Sequence, residues 1–391
     1  MSSTVADVRY RWYMGTEARI LLFITACLLA FGIVTVYSAS AILPSGGSRS
    51  GGFFLFRQLA GVAGGIIVLA IFAKVDAELW RKYAWPLMLL SIFLLLLVIL
   101  PFTESIAPRM RGSRRFLIGS SLQPSELGKL AVIFWTAMLV VKKGDTLRRL
   151  TKGLLPFVLV IGILDVLVAL EPDLSVAMMY TLMMAIILFA GGARIGHFVV
   201  LGIVAVPLLW DQMQRVNYAL LRMMAFFDPS SVPVASDQLR QSLIAVGSGG
   251  LFGVGLGQGR QQLGFLPLAY DDFIAGSIGE EWGFVGLTTV ILAFTAYAIL
   301  GFRIARKARS QFLQLSALGL TSTVVITAFL HIGVAIGLLP TTGLTLPFIS
   351  YGRSNMVLSL LMTGILVNIG STREKVVGSR ATDPSFALAR S

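Results

Sequence analysis

Residues 83–101 read YAWPLMLLSIFLLLLVILP, a run with no charged side chain. A helix crosses the hydrocarbon core of a bilayer in ~20 residues. The run is therefore long enough to span, and its leucines have no use for water. Nine further apolar stretches satisfy the same length within tolerance, near 19–43, 54–73, 124–141, 154–171, 173–191, 195–210, 283–303, 312–338 and 354–370. The expected fold is an all-α integral membrane protein of ten transmembrane helices, with a large extracytoplasmic loop between helices 7 and 8.

Composition agrees. Of 391 residues 56% are hydrophobic and only 13% charged, where a soluble domain carries about a quarter. The first apolar run exceeds the ~7–15 residues of a cleaved signal core, so it reads as a retained span. A net charge of +13 would suggest nucleic acid in a soluble chain. Here topology explains it, because cytoplasmic loops collect Lys and Arg. An even number of spans puts both termini on one side, and most of the 32 basic residues fall inside if that side is the cytoplasm. One cysteine, Cys27, excludes an internal disulfide. His197 and His331 are too few and too far apart for a His-built metal site.

This reading divides the chain into a cytoplasmic tail (1–18), a membrane domain (19–370) with a long outer loop (211–282), and a second cytoplasmic tail (371–391), whose part after Arg373 is expected to be disordered. The long loop is rich in apolar residues, so short helices on the membrane or over the bundle are expected there. The glycines at 247, 249, 250, 253 and 255 predict a tight glycine-shaped loop across 243–256 rather than an eleventh span. They lack the spacing of a nucleotide-binding motif.

The candidate functional residues are charges where the membrane disfavours them, since an ionisable group at mid-bilayer costs about 2.5–3.5 kcal/mol on insertion scales. Arg109, Arg111, Arg114 and Arg115 cluster in an outer loop against the charge bias, reading either as headgroup contacts or as a phosphate site. Glu126 and Lys129 share one helical face. They form either a self-neutralising pair or a lysine facing a ligand phosphate. Asp165 reads as a helix-packing hydrogen bond and Asp173, after Pro172, as a helix cap. His331 reads as a packed, hydrogen-bonded side chain. The adjacent Asp271 and Asp272 are either solvated acids or a general base facing the outer leaflet.

Four strings then carry a resemblance covering about Ala18 to Gly370. They are Tyr37-Ser38-Ala39-Ser40; Gly112-Ser113-Arg114-Arg115-Phe116 with Gln123-Pro124-Ser125-Glu126-Leu127-Gly128-Lys129-Leu130; residues 247–257 with Asp272-Phe273-Ile274 and Gly279-Glu280-Glu281; and residues 337–343 with 346–352. In these the chain resembles the SEDS family (shape, elongation, division and sporulation), in particular the FtsW type, with the RodA type a near relative. The resemblance implies polymerisation of lipid II on the outer face of the inner membrane. It also implies a class B penicillin-binding protein and other division proteins as partners. It maps the catalytic aspartate onto Asp272, and pyrophosphate support onto Lys129, Arg114 and Arg115. It further places Gln123, Glu126, Glu281, Ser350 and Tyr351 among the substrate contacts; Arg353, a charge the family lacks, reads either as a contact to substrate phosphate or as a contact to headgroups. No cofactor is demanded; a divalent cation, Mg or Mn, would suit the leaving group. The chain departs from the family at Pro267-Leu268-Ala269-Tyr270, where Pro-Glu-Ala-His is usual, at Arg353 in place of a glycine, and at Ser175. Ten spans with buried charges also suit a lipid II transporter, although no internal repeat is visible.

Overall fold

The computed structural model describes residues 8–40, 51–100, 103, 107–108, 114–117, 123–203, 207, 217–228, 232–267 and 269–377. The helices in chain order are α1 (Thr16–Ser40), α2 (Gly51–Lys74), α3 (Leu79–Ile99), α4 (Pro124–Lys143), α5 (Leu155–Leu170), α6 (Leu174–Ala190), α7 (residues 195–203), α8 (Asn217–Phe227), α9 (Pro233–Gly249), α10 (Ile274–Arg306), α11 (Gln311–Ala335) and α12 (Arg353–Ile369). Among the described residues, seven helical segments are long and apolar enough to cross a bilayer; α6 and α12 are shorter and also apolar. The expected seventh span, 195–210, lies partly outside the described residues.

Local chemistry sets the ends of the helices. Pro124 occupies the first turn of α4, Glu126 adds negative charge there, and Lys142 and Lys143 close the last turn, matching the helix dipole. Asp173 caps α6 by accepting from the Val176 N–H (3.4 Å). Ser310 caps α11 by accepting from the Leu313 N–H (3.2 Å). Such caps satisfy amides that the helix itself leaves unpaired.

The helices α4 and α11 run through the centre, buried along most of their length. Around them α3 packs on α4, α10 on α11, α2 on α12, and α5 on α6. The outward faces of the peripheral helices carry exposed Ile67, Phe93, Leu159, Val166 and Leu292. Only a lipid environment makes that surface favourable. Within the bundle, the Thr181 hydroxyl donates to Asp165 Oδ2 (2.7 Å), tying α6 to α5 as a packing bond.

Two features differ from the sequence expectation. Residues 371–377 do not continue as an unpaired tail. They form strand β2 (Ser371–Val377), antiparallel to β1 (Val8–Met14), with Met14 opposite Ser371. The Gly15 N–H also donates to the Gly370 carbonyl (3.2 Å), so the start of α1 and the end of α12 meet at one end of the bundle. Secondly, residues 243–249 complete helix α9, and the glycine-shaped turn begins only at Gly250. The N-terminal half of α10 packs so closely on α9 that a Cβ on Gly249 would lie 1.9 Å from the Gly279 carbonyl oxygen.

Candidate active site

Asp272 stands in the turn that enters α10. It is half-buried and lines a narrow crevice with Arg222 from α8, His331 from α11, and Thr341, Thr342 and Leu344 from the segment after α11. Two loops are stitched together beneath it. The buried Ser350 hydroxyl donates to the Asp271 carbonyl (2.9 Å) and accepts from the Leu346 N–H (2.8 Å). The Tyr351 N–H donates to the Tyr270 carbonyl (3.0 Å). The rings of Phe54, Tyr270 and Tyr351 pack mutually, with centroids 4.8–5.7 Å apart. Ser350 and Tyr351, expected as substrate contacts, thus fix the backbone of the two residues just before Asp272. Tyr270, where the family usually has His, supplies part of that packing.

The expected cation cluster divides. Arg109 and Arg111 lie outside the described residues. Arg114 donates to the Leu100 carbonyl at the end of α3 (3.1 Å). Arg115 turns to the α5–α6 corner, donating to the carbonyls of Glu171 (3.0 Å) and Pro172 and pairing with Asp173 (3.3 Å). Lys129 Nζ is buried 2.6 Å from Glu126 Oε1, so the self-neutralising pair is present. Glu126 Oε2 is buried with no hydrogen-bond partner. Gln123 spends its amide on the Ser125 hydroxyl (3.1 Å). Tyr180 from α6 locks this turn by donating to the Ser125 carbonyl (2.6 Å).

Arg114, Arg115 and Lys129 do not line the Asp272 crevice. The two regions are neighbours through α6: Ser175, one turn beyond the Arg115–Asp173 pair, donates to the Thr342 carbonyl (2.7 Å) at the crevice wall. At the same corner Glu171 is buried with neither carboxylate oxygen hydrogen-bonded. Burial, reinforced by the Asp173 charge and opposed by Arg115, pushes its carboxyl up to about 9.

Glu281 has a different setting from the expected substrate contact. Its Oε1 accepts from the Ser38 hydroxyl and from the Gly257 N–H (2.8 Å). Glu280 Oε1 accepts from the N–H of Arg260 (2.7 Å) and Gln261 (3.2 Å). The pair therefore anchors the glycine loop. Arg353 begins α12 and lies against Gly61 of α2, where an added Cβ would meet its Cγ at 3.3 Å.

Sequence reasoning passed over Arg222, which the fold brings beside Asp272. Its signal was available: it is the one charge in the otherwise apolar α8. Among the described residues no three His, Cys, Asp or Glu side chains group closely enough to hold a metal ion. A divalent cation would therefore take most of its ligands from a substrate.

A lipid-facing helical bundle with a carboxylate held in a crevice defines a multi-pass membrane protein. The chain belongs to the FtsW/RodA/SpoVE family, whose model, described as cell cycle protein, matches residues 19–375. Similar proteins include a probable peptidoglycan glycosyltransferase FtsW of Trichlorobacter lovleyi, 39% identical over 355 residues, covering 90% of this chain and 92% of the relative. Stage V sporulation protein E of Bacillus subtilis is 36% identical over 353 residues, covering 90% and 96%. Among solved structures, a chain from work on the structural coordination of polymerization and crosslinking by a peptidoglycan synthase complex matches with TM-score 0.74 and 25% identity, covering 90% and 97%. The rod shape determining protein RodA of Thermus thermophilus shares the fold, with TM-score 0.63 and 24% identity, covering 90% and 95%.

Proposed function

We propose that this chain is a peptidoglycan glycosyltransferase of the division type, polymerising lipid II at the outer face of the cytoplasmic membrane. The observation that carries the reading is a single carboxylate, Asp272, held by two interlocked loops in a crevice that also contains a guanidinium. The activity named for relatives across nine-tenths of the chain supports it.

The reaction joins the 4-hydroxyl of one lipid II sugar to the anomeric carbon of a glycan carried on a lipid pyrophosphate. Asp272 takes the hydroxyl proton as the new carbon–oxygen bond forms. The bond from the anomeric carbon to the pyrophosphate breaks, with inversion. Arg222 lies where it can meet negative charge beside Asp272. Arg115, Arg114 and Lys129 support the departing pyrophosphate, and an arriving phosphate competes with Glu126 for Lys129 through charge-assisted hydrogen bonds. A magnesium or manganese ion on the diphosphate would add charge neutralisation.

Ten spans with both termini in the cytoplasm fit the pairing of β1 with β2, because ends that meet at one surface require an even number of crossings. A class B penicillin-binding protein is the expected partner, its transpeptidase cross-linking the strands made here. The test uses purified chain with that partner and labelled lipid II in vesicles. Polymeric glycan is the expected product. Lipid II moved across the bilayer without polymer would replace the transferase reading with a transporter.

A further inference from the structure

His331 is the second titratable group in the crevice that holds Asp272, and the reaction described above leaves it unused. It sits near the outer end of α11, 1% exposed. Its Nδ1 lies 2.7 Å from the Leu344 carbonyl oxygen. A carbonyl can only accept, so Nδ1 carries the proton. In the neutral ring Nε2 is then an acceptor. That nitrogen is buried and has no hydrogen-bond partner. A buried acceptor left unpaired is destabilising, so its retention in an apolar helix calls for a donor in some working state.

Few donors can reach it. The charged groups lining the crevice are Asp272 and Arg222; the other lining side chains are apolar or threonine. Asp272 and the ring of His331 line the same crevice. Arg222 Nη1 faces the Thr341 carbonyl at 3.4 Å. The crevice is narrow, so a sugar reaches the ring less readily than the neighbouring carboxyl does. Asp272 becomes a donor at one moment only, when it has taken a proton.

We propose that His331 is a positioning residue for Asp272: its Nε2 accepts the hydrogen bond of the protonated Asp272 carboxyl and so stabilises the base after proton transfer. The inference rests on Asp272 being the base. The atoms balance simply. The sugar hydroxyl loses its proton to Asp272, Asp272 shares it with Nε2, and solvent or the departing pyrophosphate finally takes it, which restores the carboxylate and the neutral ring.

Two substitutions separate the two ring nitrogens. His331→Asn keeps a donor near the Nδ1 position and removes the Nε2 acceptor; His331→Gln places an acceptor near Nε2. With the full chain and its partner, His331→Asn should melt close to wild type while kcat falls about tenfold, the equivalent of one hydrogen bond. KM for lipid II should stay within about twofold, because the ring touches the acid and not the sugar. His331→Gln should recover part of the lost kcat. Wild-type kcat in His331→Asn would overturn the proposal.

A second measurement needs no His331 variant and no turnover. The chain has two histidines, so 15N-histidine solid-state spectra in lipid contain only His331 and His197, the latter an internal reference. The His331 Nε2 resonance should be unprotonated at neutral pH. Its titration should differ between wild type and Asp272→Ala, which removes the acidic neighbour. Identical titrations in wild type and Asp272→Ala would overturn the coupling even if the enzyme polymerises normally. A shifted midpoint in a protein that makes no glycan would instead sink the transferase reading and leave the pair standing.

Discussion

A carboxylate serves as a base only if its backbone stays still while the proton moves, and here that restraint comes from Ser350. Ser350→Ala leaves the Asp271 carbonyl and the Leu346 N–H without their partner. The expected loss is about 1–3 kcal/mol of stability, with kcat reduced more than KM for lipid II; denaturation and steady-state kinetics check the two parts. Lys129 and Glu126 behave differently because both are buried. Lys129→Met alone strands a buried carboxylate and should cost about 3–5 kcal/mol, whereas Lys129→Met with Glu126→Gln should recover most of that, read as melting temperature in detergent. Glu171 gives a pH signature. Its folded-state carboxyl titrates near 9, against an ordinary 4.5. Between those values the folded chain binds the extra proton, so stability falls as pH rises through the window. Glu171→Gln should flatten that dependence in melts between pH 5 and 9. The motif around Asp272 was readable as a string. The uses of Ser350 and Glu281 were not, because each depends on a backbone group brought from elsewhere in the chain, whereas His331 is the packed, hydrogen-bonded side chain that its place in an apolar run suggested.

At the scale of elements, the glycine loop and helix α10 complete one another. Gly283 breaks the helix at φ 66°, which leaves carbonyls and amides unpaired near the bend. The loop supplies the partners. Val254 and Gly255 donate to the carbonyls of Glu280 (3.0 Å) and Glu281 (3.1 Å), and Phe284 and Val285 donate to those of Gly250 (2.9 Å) and Leu251 (3.1 Å). A Cβ on Gly283 would lie 2.3 Å from the Gly253 nitrogen. Gly283→Ala should therefore destabilise by at least about 1–3 kcal/mol from backbone strain alone, with the clash adding to it, and should loosen the loop in hydrogen-exchange measurements. Glycine density pointed to a tight loop across 243–256, of which the part up to Gly249 is helix α9. It did not reveal the matching break in α10, since a single glycine in an apolar helix looks like packing. The expected span starting at 283 does begin at that bend, with residues 274–282 folded over α9 as a separate segment.

For the whole molecule, apolar run length carried most of the architecture. Long uninterrupted runs such as 83–101 appear as helices, and Asp165 and Asp173 take the packing and capping roles that their positions suggested. The strand pair at the chain ends was not legible, because two short polar segments hundreds of residues apart have no periodic signal linking them. Nor was the separation of the cations: arginines adjacent in sequence, Arg114 and Arg115, reach different helix ends. The account nonetheless converges on one group at the mouth of the bundle. The most direct test compares wild type, Asp272→Asn and Asp271→Asn, each purified with a class B penicillin-binding protein and supplied with lipid II. Removing a general base is expected to slow glycan synthesis by about 10²–10⁴-fold in Asp272→Asn, while Asp271→Asn retains most of its rate. Polymer formed at the wild-type rate by Asp272→Asn, or lost only in Asp271→Asn, would contradict the account.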